Sequence, residues 1–250
     1  MILNPCISFS EPKMISAFTS LSKGGTGKST LASVITLSLG LADTRVLLID
    51  FGEEGSSSRI MLRNPSPPYL RNILEGTYTL IDAIGLYSLS VFFKKKSLKS
   101  EFYMIPNIGS LPILNSNFNY LIVELAKLRD YLDFILIDYP AFQDYAFLTA
   151  VNSSDKIILV TEPNSAKAVV SLAKKNLKGE VIPVLNKYVK ASSFSKTAYD
   201  VIISEYGECF VVPFDPALAL INYRTLPYVL GNIKKETQNA LINLIARISE

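Results

Sequence analysis

Residues 23 to 30 read Lys-Gly-Gly-Thr-Gly-Lys-Ser-Thr. Residues of these types in this order suit one chemistry, the binding of a polyphosphate. Gly24, Gly25 and Gly27 leave the backbone N–H groups, that of Thr26 among them, free to turn inward around phosphate oxygens. Lys28 brings a point charge with reach to the β- and γ-phosphates. Ser29 carries the hydroxyl that ligates magnesium in such loops, and Thr30 can hold the α-phosphate. The chain has no histidine and two cysteines, Cys6 and Cys209. A zinc or iron–sulfur cage within one chain is therefore excluded, and any metal must take oxygen ligands.

A loop of this kind works only between a strand and a helix. The pattern supplies both: a strand over residues 14–19, then a helix over 28–39 with Leu31, Val34, Ile35 and Leu39 on one face, stopped by Gly40. A strand over 45–49 follows and ends on Asp50. The polar run from Gly52 to Ser58 reads as a mobile loop. From Arg59 to Leu114 the pattern is loose, with prolines at 65, 67 and 68, a helix near 69–74 and a strand over 102–105. Regular alternation then returns, with helices over 120–132, 166–177, 196–206 and 233–248 and strands over 134–137, 156–160, 181–185 and 209–212. Short apolar runs between amphipathic helices are the mark of parallel strands buried on both faces. The fold class is α/β: a three-layer, mostly parallel twisted sheet with helices on both faces, in one domain over residues 1–250.

With 49% hydrophobic residues over 250 positions, the chain is apolar, yet no run approaches the roughly 18 residues that a membrane helix needs. The first residues lack the charged start and continuous apolar stretch of a secretory signal, which predicts a cytoplasmic location. A net charge of +3 permits nucleic acid as a partner without announcing it. Candidate backbone contacts are Lys94 to Lys96 with Lys99, Lys174, Lys175 and Lys178, Lys187 and Lys190, and Lys234 and Lys235. Such clusters are more often a solvated face. No helix-turn-helix or aromatic stacking module accompanies them, so any DNA binding is sequence-independent and salt-sensitive.

The loop departs from the ordinary pattern, with Ser22 where glycine would stand and a lysine, Lys23, at its start. In this it resembles the deviant Walker A loop of the ParA/MinD/Soj ATPases. The likeness continues in family order through Val46 to Asp50 (the switch I strand), Phe134 to Pro140 (the Walker B strand), Ser154 to Val160, Leu185-Asn186-Lys187, and Val212 to Asp215.

The resemblance implies ATP and Mg2+ as cofactors. Lys23, Lys28, Asp50 and Asp138 are then the catalytic set, with Lys23 reaching across a nucleotide-dependent homodimer to the partner's nucleotide. Ser29 ligates magnesium directly and Asp50 and Asp138 through water, while Asn186 reads the adenine edge and Pro213, Phe214 and Asp215 close over the base. It further implies a slow ParA-type ATPase in plasmid or chromosome partition, with non-specific DNA, nucleoid association and an adaptor or centromere-binding protein. The match fails at Gly52, which stands where the family carries a second switch I aspartate; Glu53 or Glu54 would have to compensate. Two alternatives follow: an ATP-binding dimerisation module with little or no hydrolysis, and a MinD-like positioning ATPase. Against a membrane stands the last helix, with few cations and a terminal Glu250. Cluster-bearing reductase and metallochaperone relatives need cysteine spacings this chain lacks.

Overall fold

Side chains alternate across a strand, so each apolar run serves two cores at once. In this computed structural model, which describes residues 14–52, 54–90, 100–111, 116–142 and 145–250 (backbone only at 116 and 117), the runs form eight strands. They are β1 (Met14–Thr19), β2 (Val46–Asp50), β3 (Gly85–Ser88), β4 (Glu101–Ile105), β5 (Phe134–Asp138), β6 (Lys156–Thr161), β7 (Glu180–Tyr188) and β8 (Phe210–Pro213). The sheet order is β3-β4-β2-β5-β1-β6-β7-β8. Every neighbouring pair is parallel except β3–β4 at one edge.

The helices are α1 (Lys28–Leu41), α2 (Ser56–Met61), α3 (Leu70–Leu74), α4 (Leu80–Ala83), α5 (Ser116–Leu128) and α6 (Tyr145–Asn152). After them come α7 (Ala166–Asn176), α8 (Ser193–Tyr206), α9 (Pro216–Ala219), α10 (Leu226–Asn232) and α11 (Lys235–Ser249). On one face Phe18, Leu48, Leu136, Ile158 and Val184 pack with Leu31, Val34 and Ile35 of α1, Val229 of α10, and Leu241, Leu244, Ile245 and Ile248 of α11. The alternate residues Ala17, Leu47, Ile135 and Ile157 pack on the other face with α3, α5, α6 and α7. The expected three-layer α/β architecture is therefore what forms.

Several elements differ from the sequence reading. In the stretch read as a mobile loop, Gly55 N donates to Gly52 O at 3.0 Å and Ser56 to Ser58 form the first turn of α2. Gly40 does not stop α1. It lies inside the helix where Glu101 passes so near that a Cβ would stand 2.8 Å from its carbonyl oxygen. Helix α5 ends earlier than the expected 132, because Asp133 accepts from Arg45 N at 2.8 Å and ties the chain to the start of β2. Strand β3 and helices α4, α6, α9 and α10 have no counterpart in the sequence pattern; most are short and lean on tertiary packing.

Candidate functional site

Open parallel sheets place their crevice at the carboxyl ends of the strands. Here the ends of β1, β2, β5, β7 and β8 converge on a cavity of about 920 Å³, within the range of small-molecule sites, about 300–1,000 Å³. Its lining includes Gly24, Gly25, Gly27, Lys28, Ser29 and Thr30 from the glycine-rich loop, Gly52 and Glu54, Asp138, Asn186 and Lys187, and Pro213 to Asp215. Segments far apart in sequence thus meet around one space.

The loop is closed at its start by Lys23 N donating to Ser20 O at 3.1 Å and by the Ser20 hydroxyl donating to Lys23 O. Gly27 has a φ of +91°, and a Cβ there would stand 2.3 Å from Asn186 Nδ2, so only glycine fits. Among the described residues no acceptor takes the N–H groups of residues 24 to 27. The first-turn amides of α1 lack intrahelical partners by construction and continue the row. Consecutive unpaired N–H groups at a helix start make an anion nest. Lys28 is buried beside it, and the buried Thr26 hydroxyl has no partner. Lys23 is exposed, and among the described residues no carboxylate pairs with it.

Asp50 and Asp138 stand side by side, paired in register across β2 and β5. Both are buried. Asp50 accepts from Gly52 N at 2.8 Å, Ser58 N at 2.7 Å and the Ser58 hydroxyl at 2.8 Å. Asp138 Oδ2 accepts from the Ser57 hydroxyl, while Oδ1 has no hydrogen-bond partner although Ser29 faces the carboxylate. Burial, and then the Asp138 charge, push the Asp50 carboxyl up to about 7. Burial likewise raises Asp138, opposed by the Lys28 ammonium and the Ser29 and Ser57 hydroxyls. Two carboxylates held this close are short of a counter-charge.

An orphaned carboxylate oxygen beside a serine hydroxyl and an anion nest fits a hard cation with oxygen ligands. Among the described residues no cluster of three or more His, Cys, Asp or Glu could hold a metal alone. A magnesium ion here would therefore complete its shell with phosphate and water, as that ion prefers.

Ser57, Ser58 and Asn107 are site residues that the sequence reading missed. Asn107 N donates to the Ser58 hydroxyl at 3.0 Å, and its amide donates to Gly52 O at 3.0 Å. A run of three serines soon after Asp50 was the available signal; Asn107 had none. Gly52 offers no side chain to the cavity. Glu54 lines it, and Glu53 lies outside the described residues.

On the base side the geometry adds to two expectations. The Asp215 carboxylate accepts from Ala217 N at 3.0 Å and Lys234 N at 2.8 Å, and Asp215 lines the cavity together with Pro213 and the half-exposed Phe214. Lys187, read as a candidate DNA contact, lines the cavity. It lies at the end of β7, with its ammonium on the Gly25 carbonyl and on Glu162 at 2.9 Å. Asn186 Nδ2 donates to Thr26 O at 2.8 Å. Of the other lysines, Lys174 pairs with Glu205 at 2.7 Å, and Lys175, Lys178, Lys190, Lys234 and Lys235 are exposed. Lys94 to Lys96, Lys99 and Cys6 lie outside the described residues.

A glycine-rich loop between a central parallel strand and a helix, with paired aspartates on the adjoining strand ends, defines a P-loop nucleotide-binding protein. The chain belongs to the ParA/MinD family of P-loop ATPases, and its residues 13–175 match the AAA domain family model AAA_31. A putative septum site-determining protein MinD from Emiliania huxleyi is 30% identical over 143 residues, covering 56% of this chain and 49% of its own. The chain spans about half the length of the curated relatives it matches. The cell division ATPase MinD of Pyrococcus furiosus shares the fold over 95% of this chain and 98% of its own, with a TM-score of 0.70 and 25% identity. MinD of Pyrococcus horikoshii OT3, solved with Mg-ADP, gives a TM-score of 0.69 at 24% identity over 94% of this chain and 95% of its own. Among the described residues no helix is long and apolar enough to cross a membrane.

Proposed function

We propose that this chain binds Mg·ATP across the cavity and acts as a slow, nucleotide-switched homodimeric ATPase that positions a cargo. The observation that carries the reading is the row of N–H groups at residues 24 to 27 that finds no acceptor among the described residues, on a loop whose Gly24, Gly25 and Gly27 line the same space as Asp138, with its Oδ1 likewise unpartnered among them. The Lys28 ammonium neutralises phosphate charge from within the nest. Ser29 supplies a hydroxyl ligand, and Asp50 and Asp138 orient water around the cation. Magnesium, when bound, supplies charge neutralisation at the β- and γ-phosphates. Asn186 and Phe214 frame the base. Lys23, exposed and among the described residues without a carboxylate partner, serves in this reading the nucleotide of a second copy and neutralises charge building on the transferred phosphoryl group. The relative solved with Mg-ADP supports this choice of cofactor.

Within the family the MinD relatives favour a positioning role, and the exposed lysines at 174, 175, 178, 190, 234 and 235 are the candidate contacts for non-specific DNA in a ParA-type, nucleoid-associated cycle. An adaptor protein would then stimulate turnover. Gly52 favours a second reading, capture of ATP and dimerisation without turnover, since glycine has no group to orient water.

Calorimetry with Mg·ATP comes first, and absence of binding by the folded protein ends the proposal. Phosphate release by wild type and Lys28→Ala then separates the two readings: a wild-type rate no higher than the variant's leaves only the binding module. Light scattering with ADP and with a non-hydrolysable ATP analogue tests the dimer. DNA retention that ignores ionic strength removes the DNA arm.

A further inference from the structure

The end of β7 grips the phosphate loop by its carbonyls. Asn186 holds Thr26 O at 2.8 Å, and Lys187 Nζ holds Gly25 O while pairing with Glu162 at 2.9 Å. In a trans peptide unit the C=O and the following N–H point to opposite sides. Drawing the carbonyls of Gly25 and Thr26 toward β7 therefore turns the N–H groups of Thr26 and Gly27 the other way. Those two belong to the row that finds no acceptor among the described residues.

Lys187 makes this contact from a left-handed backbone, φ 58°, at a break in the β7–β8 register between Leu185 and Tyr188. A lysine so placed is strained, and such strain persists only where the surroundings over-determine it. Glu162 sharpens the point. Its largely buried carboxylate sits one ammonium away from an anion nest, where it would repel phosphate if Lys187 did not neutralise it.

We propose that Lys187, tethered by Glu162, is a positioning residue that aims the Thr26 and Gly27 amides for phosphate and screens the Glu162 charge from it. This rests on the phosphate-binding reading of the loop. Lys187 acts through the backbone of the loop and not on the nucleotide itself.

The test is calorimetric titration of the full chain with Mg·ADP, which avoids turnover. Lys187→Met weakens binding about tenfold, the scale of one hydrogen bond to a charged donor, and Lys187→Arg recovers most of that loss. Glu162→Gln alone weakens binding about threefold, by freeing the ammonium. Adding Glu162→Gln to Lys187→Met improves on the single Met variant, because the unpaired carboxylate beside the anion is gone; a merely structural role gives no such recovery.

Binding by Lys187→Met within about twofold of wild type overturns the proposal. So does a double variant weaker than Lys187→Met, or tighter binding by Glu162→Gln, which would put the freed ammonium directly on phosphate. Thermal melting without nucleotide checks that each variant folds, and if Lys187→Met does not, Glu162→Gln and Lys187→Arg decide by the same criteria. A wild type that binds no Mg·ADP sinks the phosphate reading and this inference together. Wild-type binding with indifferent variants sinks the inference alone.

Discussion

The turn between β2 and α2 has the least room for a side chain at Gly55. Its φ is +64°, and a Cβ there would stand 2.2 Å from the Asn107 carbonyl oxygen and 3.1 Å from Ile108 Cγ1. In Gly55→Ala the left-handed backbone alone costs about 1–2 kcal/mol. The obstructing atom is main chain, so the segment around Asn107 must move. Moving it strains two buried hydrogen bonds, Asn107 N to the Ser58 hydroxyl at 3.0 Å and the Asn107 amide to Gly52 O at 3.0 Å, each worth about 1 kcal/mol. The sum is about 3–4 kcal/mol, or a fall in Tm of about 10 °C for a chain of this size.

Calorimetric melting without nucleotide, supported by urea titration, measures it. Two controls separate the contributions. Gly207 has φ +74° with nothing within 4 Å, so Gly207→Ala carries only the backbone part, about 1 kcal/mol. Gly24 has neither constraint, and Gly24→Ala changes stability by less than about 0.5 kcal/mol. A Gly55→Ala protein that melts with Gly207→Ala would refute the steric argument and the turn with it.

Two further outcomes are specific. Burial pushes the Cys209 thiol from its ordinary value of 9.0 up to about 12, so in a Cys6→Ser background at pH 8 native alkylation runs at least about a hundredfold slower than in denaturant, and equal rates would contradict the burial. Because the unfolded thiol ionises first, this contribution is complete below pH 9 and is lost as pH rises toward 12, by about 1.4 kcal/mol per unit. Lys156 is buried on β6 and donates to Arg247 O of α11 at 3.0 Å, with Glu180 at 3.6 Å. Lys156→Ala therefore loses about 2–4 kcal/mol by urea unfolding and Lys156→Met less, since Met keeps the packed stem; an Ala variant as stable as wild type would show that the contact contributes nothing.

The phosphate loop was legible from the chain because its function is written in neighbours: Gly24 to Thr30 act through their own consecutive amides, and no distant residue is needed to name that chemistry. The central strands were legible for a related reason. Runs such as Val46 to Ile49 and Phe134 to Ile137 have no solvated face, and burial on both sides is a local property of the sequence. Asp50 and Asp138 could be placed at strand ends on the same grounds.

Tertiary structure decided the rest wherever a residue's role depends on something remote. Serine is a weak helix former, so residues 56 to 58 read as loop. They enter a helix because Ser57 and Ser58 satisfy two buried carboxylates, one of them 81 positions away. Lys187 looked like one more surface cation, and only the fold puts its ammonium on a carbonyl 162 residues earlier. Asp215 reads as a residue of the base side, and only the fold shows its two oxygens each accepting a backbone N–H, from Ala217 of α9 and from Lys234 just before α11. Periodicity reports burial and a motif reports contiguous chemistry. Which partner a polar side chain finds is set by how distant elements pack, and no window along the chain contains that information.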